Sequence, residues 1–185
     1  MVSETLEQVG QEAQRYPYTL LLMRHAQAES VGAEGDRSRP LSLLGRQQAS
    51  RMGRALTQER LIPDRIACSG ALRTRQTLER MLPDFGDGPS VDYRESLYSS
   101  GLQAVWDELG QTKADEHRLL ILTHEPTVSA GAQLLADTES AESSLLQLDL
   151  GMSPASIALF ASSEPIAAWT PHSARLLALF GPRDC

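Results

Sequence analysis

The sequence predicts an α/β fold, a three-layer α/β/α sandwich built around a mostly parallel sheet. Three observations predict it. Runs such as Thr19 to Met23 and Leu119 to Leu122 read as strands buried on both faces, as in parallel sheets. Segments with apolar residues at helical spacing alternate with these runs. At 185 residues and 41% hydrophobic, the chain suits one compact domain that buries about two-thirds of its unfolded surface without metal or disulfide staples.

Residues 1–17 read as a polar extension with Leu6, Val9 and Ala13 on a loose helical face ended near Pro17, and residues 18–185 as a single domain. Tyr18 to Met23 is the first strand and ends at Arg24-His25. From Ala28 to Arg39 the chain is rich in Gly, Glu, Asp and Ser, a long surface loop. Pro40 and Ser42 open a helix to about Arg60, with Ser42 as cap and Ala49, Met52 and Leu56 on its apolar face.

Arg65 to Cys68 is a second strand, followed by the turn Ser69-Gly70 and a helix from Ala71 to about Met81. A short strand is expected near Val91 and Tyr93, then a helix carrying Leu102, Val105, Trp106 and Leu109. Arg118 to Leu122 is another strand, ending at Thr123-His124, and Pro126 suits the first turn of the helix with Val128, Leu134 and Leu135. Asp137 to Ser144 is polar and acidic and reads as an exposed loop. Ala155 to Phe160 and Ile166 to Trp169 read as two strands in an edge hairpin, with a C-terminal helix over Ala174 to Leu179.

Composition narrows the function. A formal net charge of −7 argues against binding nucleic acid or acidic membranes through overall charge, since polyanions need a cationic face. No apolar run approaches the ~20 residues that span a bilayer. Glu4, Glu7 and Glu12 replace the basic and apolar regions of a signal peptide, so the expected compartment is the cytoplasm. Cys68 and Cys185 lie far apart with no CxxC spacing, which fits a reducing compartment and offers no metal framework.

In an open α/β sheet, ligands bind beyond the carboxyl ends of the strands. Arg24-His25, Ser69 to Arg73 and Thr123-His124 all fall at such ends. Two arginines and two histidines there make a local cationic pocket in an acidic chain, and guanidinium forks match phosphate oxygens. A neutral histidine nitrogen attacks phosphorus competently when its other nitrogen is held by an acceptor. Arginines neutralise the phosphoryl charge without a metal.

The stretch Leu20-Leu21-Leu22-Met23-Arg24-His25-Ala26 resembles the strand and RHG motif of the histidine phosphatase, or phosphoglycerate mutase-like, superfamily. Arg39-Pro40-Leu41-Ser42 with Gly45, Gln48 and Ala49 resembles its RPLT segment, and Ser69 to Thr77 its S-x-x-x-R-x-x-Q-T motif. Thr123-His124-Glu125-Pro126 is similar to its G-H-x-P motif, and the ordered set covers residues 18–135. The resemblance implies a transient phosphohistidine on His25, with Arg24, Arg73 and His124 completing the phosphate pocket, Ser69 beside the substrate, and no metal or other cofactor.

The short stretch between Arg73 and His124 looks like the SixA-type phosphohistidine phosphatases, which implies an open site reached by a phosphorylated protein side chain. A small phosphomonoester, such as a sugar phosphate or nucleotide, is the alternative substrate, and a non-catalytic phosphate-binding protein the alternative class. Glu95 lies where members often place the acid that protonates the leaving group. Ala26 departs from the usual glycine, and Glu125 would repel a phosphate dianion if it faced the pocket unprotonated and unpaired, so it is expected to point away or to orient a basic residue. A cysteine-based phosphatase is excluded by spacing. Its loop needs five residues between Cys and Arg, and Cys68 and Arg73 enclose Ser69, Gly70, Ala71 and Leu72 only.

Overall fold

A computed structural model describes residues 5–185. Helix α1 (Leu6–Ala13) is followed by β1 (Tyr18–Arg24), α2 (Leu43–Gln58), β2 (Arg65–Ser69), α3 (Leu72–Phe85) and β3 (Ser90–Arg94). Then come α4 (Ser96–Ser99), α5 (Gly101–Gly110), β4 (Arg118–Thr123), α6 (Thr127–Leu135), α7 (Glu142–Asp149), β5 (Ile157–Ser162) and β6 (Arg175–Phe180). One sheet runs β3-β2-β4-β1-β5-β6; the first four strands are mutually parallel, and β5 and β6 are antiparallel additions.

Side chains alternate across a strand, so each apolar run supplies both faces of the sheet. Leu21 and Met23 of β1 join Ile66, Cys68, Leu120 and Leu122 against α1, α2 and α3, through Val9, Met52, Leu56, Leu78 and Met81. Leu20 and Leu22 face the other way and join Leu119, Ile121 and Phe160 against α5 and α6, through Val105, Leu109, Val128 and Leu135. Each fully buried Leu of this kind contributes roughly 1.5–3 kcal/mol. The three-layer expectation therefore holds, and Val9 and Ala13 bring the described part of the 1–17 extension into the domain's own core.

The capping signals also hold: the Ser42 hydroxyl accepts from Gly45 N at 3.0 Å at the start of α2. Three expectations near the C-terminus do not. Arg175–Phe180 is a strand, not a helix; it completes the sheet edge beside β5, and that ladder outweighs the helix propensity of its Leu and Ala. Ile166–Ala168 is one turn of 3-10 helix that tucks Ile166 and Trp169 into the core, so the edge hairpin is β5 with β6. The acidic loop over Asp137 to Ser144 ends early, because α7 begins at Glu142 and buries Leu148.

The order of the strands fixes where a ligand fits. After β1 the chain crosses to α2 on one face, and after β4 it enters α6 on the other. Between the carboxyl ends of β1 and β4 the two connections therefore part, which leaves a crevice at the switch point.

Candidate active site

Strands β1 and β4 pair with Arg24 opposite Thr123, so the next residues, His25 and His124, stand together with ring centroids 5.2 Å apart. Strand β2, on the far side of β4, ends at Ser69, whose Oγ lies 2.7 Å from His124 Nε2. The first turn of α3 brings Arg73 Nε–H to donate to His25 Nε2 at 3.2 Å. Four residues expected at three strand ends are thus in one place, and Ser69 with them.

His25 Nδ1 sits 2.7 Å from the carbonyl of Ala26. A carbonyl only accepts, so Nδ1 carries the proton and Nε2 keeps its lone pair. Burial pushes the His25 pKa down to about 4, and Arg73, Arg24 and Arg39 add to the shift against the opposing bond to Ala26. Burial, then Arg73 and His25, pushes His124 down to about 3. Both rings are neutral at pH 7.

The motif residues without charge hold this geometry. Thr77 Oγ1 accepts from Ala26 N at 3.1 Å, fixing the backbone just after His25. Gln76 Oε1 accepts from Leu41 N at 2.8 Å and ties the Arg39-Pro40-Leu41 segment to α3. Gln48 Oε1 accepts from Gln27 N at 3.0 Å. At Gly45 a Cβ would meet the Gln27 carbonyl oxygen at 1.9 Å, so only glycine lets α2 approach this strand end.

Arg24 Nη1 donates to the Met152 carbonyl at 2.5 Å, and Met152 N donates to Glu125 Oε1 at 2.6 Å. Ser129 Oγ donates to the same Glu125 oxygen at 2.5 Å. Glu125 is thus engaged with the turn that aims Arg24 and does not oppose a phosphate. Burial lowers the pKa of Arg24, and the charge of Glu125 works against that loss.

Two further residues belong to the pocket. Asp36 accepts from Arg73 at both its carbonyl (2.7 Å) and its carboxylate (3.0 Å), and its other carboxylate oxygen accepts from Arg39 at 3.0 Å. Tyr98 OH donates to the same carboxylate at 3.2 Å, and the ring lies edge-on to His124. The hydrogen bond from Arg39 leads the causes that hold the Asp36 carboxyl below its ordinary pKa. The carboxylate therefore lies across two guanidinium groups as a phosphate would. Arg39 was visible within its motif, but Asp36 sits in a polar loop whose composition carries no such signal.

Glu95 lies at the rim, where both its oxygens accept from Arg37, and Arg37 in turn lies 5.5 Å from the Tyr98 ring centroid. A Cβ at Gly70 would meet Glu95 Oε2 at 2.7 Å, so the turn after Ser69 passes directly beneath this carboxylate. Cys68 is wholly buried in β2, and burial pushes its thiol up to about 12, which leaves no thiolate to act as nucleophile. His117 stacks on Tyr18 and His172 sits 3.0 Å from the Ala136 carbonyl, both outside the pocket.

Residues 20–99 match the sequence profile of the histidine phosphatase superfamily, branch 1. The uncharacterized protein Rv1276c of Mycobacterium tuberculosis is 31% identical over 125 residues, covering 68% of this chain and 77% of that protein. A structure from Nakamurella multipartitia, assigned as the phosphohistidine phosphatase SixA, is 31% identical with a TM-score of 0.72, covering 89% of this chain and 96% of the other. This chain belongs to the histidine phosphatase superfamily. It is a phosphatase of the SixA type, and hence a hydrolase. The protein histidine phosphatase SixA complexed with tungstate shares its fold, with a TM-score of 0.72 at 22% identity over 90% of this chain and 98% of that one. Among the described residues of this histidine phosphatase, no helix is long and apolar enough to cross a membrane.

Proposed function

We propose that this phosphatase removes the phosphoryl group from phosphohistidine on another protein, through a phosphoryl intermediate on its own His25. The observation that carries the reading is the 2.7 Å contact between His25 Nδ1 and the Ala26 carbonyl, which requires the proton on Nδ1 and leaves Nε2 an unprotonated nucleophile among cations. In the first step Nε2 forms a bond to phosphorus while the bond from phosphorus to the substrate imidazole breaks, and the imidazole departs neutral, either with the ring proton it arrived with or with one taken from solvent water. In the second step water attacks phosphorus as the bond to His25 Nε2 breaks, its oxygen goes to inorganic phosphate, and its surplus proton returns to solvent.

Arg24, Arg73 and His124 hold the phosphoryl oxygens, with Ser69 positioning the His124 ring. Arg24 Nε and His124 Nδ1 are buried and have no hydrogen-bond partner among the described residues, which suits groups kept for an incoming oxygen. Phosphate entering the pocket takes over the contacts that Asp36 makes with Arg73 and Arg39. Between Arg73 and His124 the chain carries only the rest of α3, β3, α4, α5 and β4, with no added lobe to enclose a small substrate. That openness, and the phosphohistidine substrate named for the SixA relatives, favour a protein side chain.

A panel of a phosphohistidine protein, sugar phosphates, nucleotides and p-nitrophenyl phosphate tests the reading. The phosphohistidine protein should show the highest kcat/KM, and a denaturing quench should trap acid-labile, alkali-stable phosphate that His25→Asn abolishes. Preference for a sugar phosphate or nucleotide would overturn the substrate assignment, and label on Ser69 or Cys68 would overturn the mechanism.

A further inference from the structure

A basic groove of about 910 Å³ runs along α2, outside the pocket. Arg46, Arg51 and Arg54 of α2 line it together with Arg80 of α3 and Arg183 near the C-terminus, and all five are exposed. Among the described residues no carboxylate lines the groove, and none pairs with any of these arginines. Glu79 and Asp84 line the adjoining hollow, which shares Ser50, Arg54 and Arg80 with the groove. In a chain of net charge −7 such a concentration of unpaired cations is a local reversal of the protein's own field.

One wall of the groove is bonded to the backbone that follows His25. Its upper end is the start of α2, where Leu43 and Leu44 are 73% and 52% exposed, an apolar step on an otherwise polar surface. Gln48, also in its wall, bonds to Gln27, two residues after His25. A second groove of about 490 Å³ shares Gln48, Pro182 and Arg183 with the first and carries one carboxylate, Asp184, bonded to Gly181 N, together with Leu150, which is 89% exposed. Apolar side chains thus stand at the start of α2, and Arg46, Arg51 and Arg54 follow along the helix.

We infer that this groove docks an acidic segment of the phosphorylated protein, a stretch rich in Asp and Glu with an apolar residue near the phosphohistidine. The inference rests on the phosphoprotein reading above. Charge complementarity selects the occupant: carboxylates spaced along an extended chain meet guanidinium groups that no carboxylate of the described residues neutralises, Arg51 alone among them being tied, by a bond to the Pro182 carbonyl at 3.0 Å. The lengths agree as well. From Leu43 to Arg54 α2 rises about 16 Å, which about five extended residues span. The open site leaves the phosphohistidine and its flanking chain on one continuous surface.

The test uses the full chain and phosphohistidine peptides that differ only in a flank of about five residues, made of Glu, Gln or Lys and placed on either side of the phosphohistidine. At low salt the Glu flank should raise kcat/KM by about tenfold over Gln, mainly through KM, and the gain should fade as ionic strength rises. The triple variant Arg46→Glu, Arg54→Glu, Arg80→Glu should lose that gain and prefer the Lys flank, while its hydrolysis of p-nitrophenyl phosphate stays unchanged. Misfolding cannot produce a reversed preference with intact small-substrate activity.

Equal kcat/KM for all three flanks, or an unchanged preference in the triple variant, would overturn the docking site. Binding of the unphosphorylated Glu-flank peptide, read by fluorescence anisotropy, separates the two readings: binding lost in the triple variant supports docking even if no phosphohistidine peptide is hydrolysed. Tighter binding of a single-stranded oligonucleotide than of the Glu peptide, or a dimer that the triple variant dissociates, would overturn the assignment by giving the groove to another partner.

Discussion

Arg65 and Arg73 stand on consecutive elements and are equally buried, at 4% and 5% exposure, yet their surroundings are opposite. Arg65, at the start of β2, donates to Glu108 of α5 and to Asp92 of β3, and Arg94 Nε makes a third ion-pair contact at 3.0 Å with Glu108, without hydrogen-bond alignment. Burial alone would lower the pKa of Arg65, but Glu108 and Asp92 outweigh it and raise it. Arg73 has no buried carboxylate. Its acidic partner is Asp36, on a loop, with a side chain 54% exposed. The first arginine is saturated by its own fold, and the second is held by a group that can leave. The burial of the arginine therefore does not separate the two; the exposure of its counter-charge does.

That contrast breaks if the two arginines respond alike to losing their partners. Glu108→Ala strands Arg65 without its main counter-charge and should cost about 3–5 kcal/mol of stability, read by urea unfolding, while kcat of the folded fraction stays near wild type. Arg73→Ala should do the reverse, lowering kcat about a hundredfold or more with unfolding free energy nearly unchanged. Arg75→Ala, two residues on in α3 and lying over the Tyr93 ring outside the pocket, is the control and should keep full activity. Loss of turnover in Arg75→Ala with none in Arg73→Ala would move the phosphate site.

The histidines sharpen the same comparison through pH. Their folded pKa values, about 4 for His25 and about 3 for His124, lie below the ordinary 6.5, so the unfolded chain binds more protons between those limits. The stability they contribute is complete above pH 6.5 and is lost as pH falls toward 4 and 3, at no more than about 1.4 kcal/mol per pH unit for each ring. Unfolding free energies at pH 7, 6 and 5 should therefore fall less steeply in His124→Asn than in wild type. Parallel curves would mean that the ring is not held neutral by its burial.

The sequence carried the pocket better than it carried the edges of the fold. Arg24, His25, Ser69, Arg73 and His124 were legible because apolar strands have sharp polar ends, and parallel topology gathers those ends on one side. The saturated cluster was not legible: Arg65, Asp92 and Glu108 are far apart in sequence, and only the pairing of β2 with β3 and the packing of α5 unite them. Strand β6 was hidden because Arg175–Phe180 mixes helix formers with no alternation, and its edge position leaves three of its six residues in a row half-buried. Its place directly after His124 leaves open whether Glu125 repels a phosphate, points away or orients a basic residue, and its bond to Met152 N, whose carbonyl accepts from Arg24, decides for orientation.

Glu95 presents a third kind of pair. Its carboxylate and the Arg37 guanidinium hold each other at the rim, and both side chains are 53% exposed. Exposed pairs of this sort are worth about 1 kcal/mol or less, so substrate can separate them at little cost and leave Glu95 facing the leaving group. An alkoxide must be protonated as it departs, whereas nitrophenolate leaves without an acid and a substrate imidazole can arrive already protonated. We expect Glu95→Gln to slow an alkyl phosphate by about tenfold and to change p-nitrophenyl phosphate and phosphohistidine by less than about twofold. The alkyl substrate is the discriminating measurement, because a carboxylate that merely braces Arg37 against Tyr98 would affect every leaving group alike. Equal slowing across the three substrates would thus leave Glu95 as a strut of the rim that carries Asp36, and the proton for an alkyl leaving group would have to come from water.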